Sequence, residues 1–163
     1  MRKIVTTLFI ISLFLISCDG GLVPPEPRPK SYIAGTVYFI NELSDWPPAD
    51  SLIELRVVAF KTYPPKDIIS EIINKQAYFT LDTLPRFVDS ASYYIDIPDA
   101  PTPISYIVVA QRYGTILEWR AVGVWTLTGD KTKPSSLYLD WGMHADSINI
   151  EVDFKNLPPQ PFQ

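Results

Sequence analysis

The prolines of this chain divide it into short segments, and that division limits its folding more than any other feature. Sixteen prolines and seven glycines are spread over 163 residues. A proline inside a helix or a central strand removes a backbone N–H donor and interrupts regular pairing. The segments between the prolines are rich in tyrosine, valine and isoleucine, which favour extended backbone. We therefore expect strands separated by turns, and an all-β fold.

Seven or eight of these segments have the pattern of a short β-strand, and most of them alternate between apolar and polar residues. In the first of them, Ile33, Val37 and Phe39 share one face. A later segment, "ISYIVVAQRY", is apolar on both faces, as a central strand is. The number and spacing of the segments predict an antiparallel two-sheet sandwich that occupies residues 32–155.

One segment, "PKDIISEII" (Pro65 to Ile73), departs from the period-two pattern. Its four isoleucines recur at three- and four-residue intervals, as they would on one face of a helix. Pro65 suits the start of a helix, whereas isoleucine also favours strands. We expect a short helix in this segment.

The beginning of the chain has the pattern of a secretory signal peptide. Arg2 and Lys3 precede an apolar run from Ile4 to Ser17, and a basic start before a short apolar stretch is typical of such signals. A helix needs about 20 apolar residues to span a membrane, so this run is too short to serve as the anchor itself. We expect residues 1–17 to be removed from the mature protein.

The cysteine at the end of the apolar run indicates which kind of signal this is. The segment "LISC" (Leu15 to Cys18) resembles the lipobox of bacterial lipoproteins, in which aliphatic and small residues precede the cysteine. The resemblance implies cleavage before Cys18 and a diacylglycerol on its thiol, with acyl chains such as palmitate, that tethers the protein to a membrane. The alternative is an ordinary secreted protein with a chance cysteine at this position.

Two proline-rich segments flank the predicted domain. Residues 18–31 contain four prolines and two glycines, which suit a tether between the lipid and the domain. Residues 156–163 form a tail that we expect to lie along the domain surface or to stay loose. We expect the anchor in the outer membrane, with the inner membrane as the alternative because Asp19 follows the cysteine. The domain would then lie in the periplasm or at the cell surface.

Charge and cysteine content exclude two kinds of protein. Removal of residues 1–17 leaves 12 basic and 18 acidic residues, a net charge of −6. A nucleic-acid-binding domain needs clustered Lys and Arg, so no nucleic-acid partner is expected. The chain has one cysteine, so no disulfide within it is available and the domain must be stabilised by packing.

The order of the strand motifs resembles that of transthyretin-like domains, which include carboxypeptidase regulatory-like modules. The motifs are "IAGTVYF", "ELRVVAF", "AYFTLDTLP" and "YYIDIP", and they cover about the first half of the domain. The resemblance implies a transthyretin-like β-sandwich. Gly35, inside the first motif, suits a bulge or a close backbone approach. One hydrolase branch of this family uses several histidines and a C-terminal Tyr-Arg-Gly-Ser, and this chain lacks both.

Two tryptophans of one strand are the candidate ligand-binding residues. In "WRAVGVW", alternation places Trp119 and Trp125 on the same face as Ala121 and Gly123. Large rings beside small residues would form a shallow trough that stacks against a sugar or a proline-rich peptide. The other interpretation is that the small residues make room for a loop or for the tail, and that the tryptophans stabilise the edge of the core.

His144 is the candidate for catalysis or metal binding, because it lies between Asp140 and Asp146 in "LDWGMHADS". A polar loop between two strands explains the same residues, and a second histidine is absent from the sequence. We therefore expect no catalytic residue, no metal and no cofactor. The expected function is that of a non-enzymatic, membrane-tethered envelope lipoprotein, an interaction or structural module for an envelope protein. The alternative is a carbohydrate-binding module that binds a glycan through its aromatic sheet face.

Overall fold

Ten strands dominate the computed structural model, which describes residues 26–161. Cys18, the predicted signal peptide and the last two residues of the predicted tail lie outside the described residues. The all-β prediction is confirmed. The strands are β1 (Ser31–Phe39), β2 (Glu54–Phe60), β3 (Ala77–Phe79), β4 (Ser90–Ile97), β5 (Thr102–Ile104), β6 (Tyr106–Arg112), β7 (Trp119–Val124), β8 (Leu137–Leu139), β9 (His144–Ala145) and β10 (Ile150–Val152).

Most of these strands belong to one large sheet, in the order β3-β2-β6-β7-β10-β1-β4. β9 adds a short pairing to β1, and β5 and β8 form a separate two-stranded sheet. The large sheet curls, and its two edge strands, β3 and β4, approach each other. The curl encloses the main core and leaves a seam between the two edges.

The prediction of an antiparallel arrangement is wrong at β1. β10 and β9 both run parallel to β1, with Val37 opposite Ile150 and Tyr32 opposite His144, whereas β4 is antiparallel to it. Parallel neighbours need a long connection. The chain between β1 and these two strands contains β2 to β8, so the connection is long enough for either direction.

Burial follows the predicted alternation in β1, β4 and β6. Ile33, Val37 and Phe39 of β1 are buried in the main core, and β4 alternates between exposed and buried residues along its whole length. β6 is buried on both faces, as predicted for a central strand. Its Ile107 and Val109 belong to the main core, and its Tyr106, Val108 and Ala110 belong to a second apolar cluster on the outer face of the sheet.

The predicted short helix is present as α1 (Ile68–Ile73), which covers the second apolar cluster. It begins at Ile68 rather than at Pro65, because Asp67 is its N-cap: the carboxylate accepts a hydrogen bond from the backbone N–H of Ser70 at 2.7 Å. Ile68 is buried, whereas Ile73 is 73% exposed. Among the described residues, no helix is long and apolar enough to cross a membrane.

Gly35 lies where the backbone before β10 crosses β1. A Cβ at this position would be 2.1 Å from the carbonyl oxygen of Ile148, so the predicted close backbone approach is present. The N–H of Ile148 donates to the carbonyl of Ala34 at 3.1 Å. The buried hydroxyl of Tyr93 donates to the Ile148 carbonyl at 2.6 Å, and burial raises the pKa of that hydroxyl. These contacts fix the position of the segment leading to β10.

Candidate functional site

A groove of about 460 Å³ lies between β3 and β4, the two edges of the curled sheet. Its volume is in the range of ordinary ligand sites. One wall is the outer edge of β4, and the other is β3 with the segment that follows it. The described residues that line it are Ala77, Tyr78, Phe79, Thr80, Leu81, Asp82, Thr83, Leu84, Pro85, Ser92, Tyr93, Tyr94, Asp96 and Pro98.

The β4 wall carries backbone groups without a strand partner among the described residues. β4 pairs with β1 alone, and the N–H of Phe39 donates to the carbonyl of Asp89 at 2.9 Å just before β4 begins. In an antiparallel pair the hydrogen-bonded positions alternate. In this register, Tyr93 and every second residue on either side of it make backbone hydrogen bonds with β1. The N–H and C=O groups of Ser92, Tyr94 and Asp96 therefore point away from β1, into the groove.

The β3 wall is open in the same way. The N–H of Lys61 donates to the carbonyl of Gln76 at 2.9 Å, and the N–H of Thr80 donates to that of Val57 at 3.0 Å. Even-numbered residues of this segment therefore bond to β2, and the backbone groups of Ala77 and Phe79 are turned outward. The groove thus separates two strand edges, each paired on one side in the described structure.

The charged residues of the described groove lining are two carboxylates. Asp82 stands on one wall and Asp96 on the other, and none of the described residues that line the groove is basic. The Tyr94 hydroxyl donates to a carboxylate oxygen of Asp96 at 2.9 Å. This hydrogen bond is the main cause of the raised pKa of Tyr94, since it stabilises the protonated phenol. Both carboxylates remain exposed to solvent.

A hydrogen-bonded ion pair contacts Tyr78, one of the residues that line the groove. Asp99 accepts a hydrogen bond from the Tyr78 hydroxyl and pairs with the Lys61 ammonium at 2.8 Å. Partial burial works against ionisation of Asp99, but the hydrogen bonds from Lys61 and Tyr78 outweigh it and lower the pKa of the carboxyl. The ammonium also lies 5.1 Å from the centre of the Tyr78 ring. These contacts hold Tyr78 against the groove.

A row of three aromatic rings crosses the outer face of β4, β1 and β9. The ring of Tyr32 stacks on His144 with centroids 4.2 Å apart, and it lies 4.9 Å from the ring of Tyr94. Tyr94 is 48% exposed and also lines the groove. Of the three rings, that of Tyr94 lies next to Asp96 in the groove.

The structure does not bring Trp119 and Trp125 onto one face. The pairing of β6 with β7 shifts by one residue between Val109 and Ala110, which leaves an additional residue in β7. Such a bulge reverses the alternation beyond it. Trp119 packs against the outer cluster, whereas Trp125 is 7% exposed and belongs to the main core. The predicted trough between the two rings is therefore not formed.

The small residues of β7 make room for other chain segments. The structure therefore agrees with the second of the two interpretations of "WRAVGVW", in which these residues make room for a loop or for the tail. A Cβ on Gly123 would be 2.8 Å from the carbonyl oxygen of Glu151 in β10. The side-chain amide of Gln160, in the proline-rich tail, both accepts from the N–H of Ala121 at 2.8 Å and donates to its carbonyl at 2.9 Å. The tail therefore lies along the surface beside β7 at this residue.

His144 is exposed on β9 and contacts Tyr32 rather than a carboxylate. Within residues 26–161, no hydrogen bond or ion pair joins His144 to Asp140 or Asp146. Asp140 instead accepts a hydrogen bond from the backbone N–H of Trp141 at 2.7 Å. The described residues contain no group of three or more histidine, cysteine, aspartate or glutamate side chains that is arranged to hold a metal ion.

Comparison with known proteins adds no relative from which a role for the groove could be transferred. A scan against protein-family models, a search of curated proteins and a search of solved structures each find no match to this chain.

Proposed function

We propose that this chain is a bacterial envelope lipoprotein, anchored through a lipid on Cys18, whose β domain binds a partner without catalysing a reaction. The observation that supports binding most directly is the groove between β3 and β4, with an open strand edge on each wall. Two facing edges expose backbone donors and acceptors, which folded proteins ordinarily pair or cover. A partner that covers them gives the domain its role.

We further propose that the domain is a transthyretin-like sandwich. The four motifs that resemble that family lie in order on β1 to β4, one motif to each strand. The strands β3, β2 and β6 then form one layer, and β4, β1 and β10 form the other, with the main core between them. An experimental structure of the domain tests this proposal, and a single continuous barrel without two layers would contradict it.

The anchor is tested by cell fractionation. Wild-type protein is expected in the membrane fraction, and Cys18→Ser is expected in the soluble fraction, because the thiol that would carry the lipid is gone. Ser17→Ala is the matched control, since alanine is also small, and it should stay with the membrane. Membrane association of Cys18→Ser would contradict the proposal.

Binding in the groove is tested by photo-crosslinking in cells. A benzophenone amino acid at Leu81, which lines the groove and is 81% exposed, is expected to give a discrete adduct. The control is the same label at Tyr138, which is 58% exposed on β8 and lies outside the groove lining. Equal labelling at both positions would contradict a partner in the groove.

Carbohydrate binding is the second candidate function, and the aromatic row of Tyr94, Tyr32 and His144 is the observation that favours it. Sugars stack on exposed aromatic rings, and carboxylates accept hydrogen bonds from their hydroxyls. Tyr94 and Asp96 combine these two features. A glycan array probed with wild type and Tyr94→Ala tests this candidate, and silence of the wild type on the array would end it.

A further inference from the structure

We infer that the partner in the groove is an extended segment of another protein, which adds to the curled sheet as a strand beside β4. This inference rests on the proposed binding function of the groove and identifies the chemistry of the partner. Addition of a strand to an open sheet edge is a general mode of peptide recognition, in which backbone hydrogen bonds supply affinity and side-chain pockets supply specificity.

The backbone of β4 matches an added strand. The outward N–H and C=O groups of Ser92, Tyr94 and Asp96 recur at every second residue, about 7 Å apart. An extended peptide repeats its own donors and acceptors at the same interval. From Ser92 to Asp96 the edge is about 14 Å long, which accommodates roughly five peptide residues. The groove of about 460 Å³ lies along this edge.

β4 has few of the features that protect a free edge. Natural edge strands carry charged residues, lysine above all, or a proline or a bulge that prevents further pairing. The strand "SASYYIDI" contains no lysine and no proline, and its register with β1 runs unshifted from Tyr38 opposite Ser90 to Ser31 opposite Ile97. An edge of unshifted register whose one charged residue is Asp96 is suited to pairing with a partner of opposite charge.

The side chains around the groove specify the partner's residues. Every second residue of an added strand would face Asp82 and Asp96, and none of the described residues that line the groove is basic. Lysine or arginine at those positions supplies the opposite charge. The intervening residues would face buried Leu84 and Tyr93 at the floor of the groove, so they should be apolar. The partner segment therefore alternates basic and apolar residues.

The test uses the full-length protein in detergent and one synthetic probe. The probe is an acetylated, amidated hexapeptide that alternates lysine and valine. We expect it to bind with a Kd below about 1 mM, and to slow amide hydrogen exchange at Ser92, Tyr94 and Asp96 at least about tenfold at saturation. Failure to bind at this concentration would overturn the inference.

Two variants separate backbone pairing from simple charge attraction. The probe can be N-methylated at its odd-numbered or at its even-numbered residues, and both versions keep its charge. One of the two versions loses the N–H donors that face β4, and it should bind at least about tenfold more weakly than the unmodified probe. Asp96→Lys should weaken binding of the unmodified probe by a similar factor, whereas Asp50→Lys, an exposed control outside the groove lining, should not. Equal affinity of all probes would overturn strand addition.

Other occupants give different results. A glycan that perturbs Tyr94 without slowing exchange of the β4 amides would overturn the peptide inference, although crosslinking from Leu81 would still support a partner in the groove. Without any peptide, amide hydrogen exchange at Ser92 and Asp96 could become slower as the protein concentration rises. This result would overturn the inference, because it would assign the edge to a second copy of this chain. Absence of any crosslink from Leu81 would instead contradict the proposed function itself.

Discussion

Replacement of Gly35 by alanine should destabilise the domain more than the same replacement of a glycine on an open loop. The new Cβ would lie 2.1 Å from the carbonyl oxygen and 2.6 Å from the carbonyl carbon of Ile148. These atoms belong to the backbone, so they can move only if the segment leading to β10 moves. Gly35→Ala therefore forces a shift between β1 and β10.

The magnitude follows from the contacts that such a shift disturbs. Overpacking a close contact costs about 1–3 kcal/mol. The hydrogen bonds from the Ile148 N–H to Ala34 and from Tyr93 to Ile148 contribute about 1 kcal/mol each. We expect Gly35→Ala to lower the free energy of unfolding by about 3–5 kcal/mol, a large fraction of a typical domain's stability.

The assay is urea unfolding monitored by tryptophan fluorescence, since Trp46 and Trp125 are buried. The matched control is Gly129→Ala. Gly129 has a φ of 76°, and a Cβ added there would meet no atom within 4 Å, so this replacement should cost only the left-handed backbone penalty, about 1 kcal/mol. A Gly35→Ala cost no greater than that of Gly129→Ala would refute the steric argument.

Three further changes test other contacts in the domain. Tyr93→Phe should lower the free energy of unfolding by about 1–2 kcal/mol in urea titrations, because the buried Ile148 carbonyl loses its donor; a neutral effect would contradict this. Asp99→Asn should reduce stability more at about pH 7 than at about pH 3. The Asp99 pKa is lowered in the folded state, so its contribution is present above the unfolded pKa and is lost as pH falls through the folded value. Gln160→Ala should accelerate hydrogen exchange of the Ala121 amide about tenfold, as measured by NMR, with unchanged exchange refuting the contact.

The sequence was sufficient to predict the parts of the fold that depend on local alternation. Burial on β1 and β4 follows the period-two pattern of their own residues, as with Ile33 and Ile95. The short helix was also recognisable, because its isoleucines recur at helical spacing. Its start was misplaced, since both Pro65 and Asp67 carry start signals and the side-chain cap at Asp67 determined the boundary.

Alternation could not predict the faces of the two tryptophans correctly, because it holds only while the register of the strand is unbroken. One additional residue in β7 reverses the faces after the bulge. Trp119 and Trp125 are six positions apart in the sequence, an even number, yet they belong to different clusters. Nothing in "WRAVGVW" marks the bulge except its small residues, and these are equally compatible with a regular strand.

The groove depends on strand order, which the local sequence does not contain. "SASYYIDI" has the alternation of any half-exposed strand, and the same residues would be ordinary in the middle of a sheet. They form an outer edge because β10, which comes late in the chain, pairs with the other side of β1 and leaves β4 outermost. The lack of lysine and proline in β4 acquires a meaning only at that point. A protective residue is needed on an edge and not in a sheet centre, so the same composition is neutral in the middle of a sheet and affects pairing only at an edge.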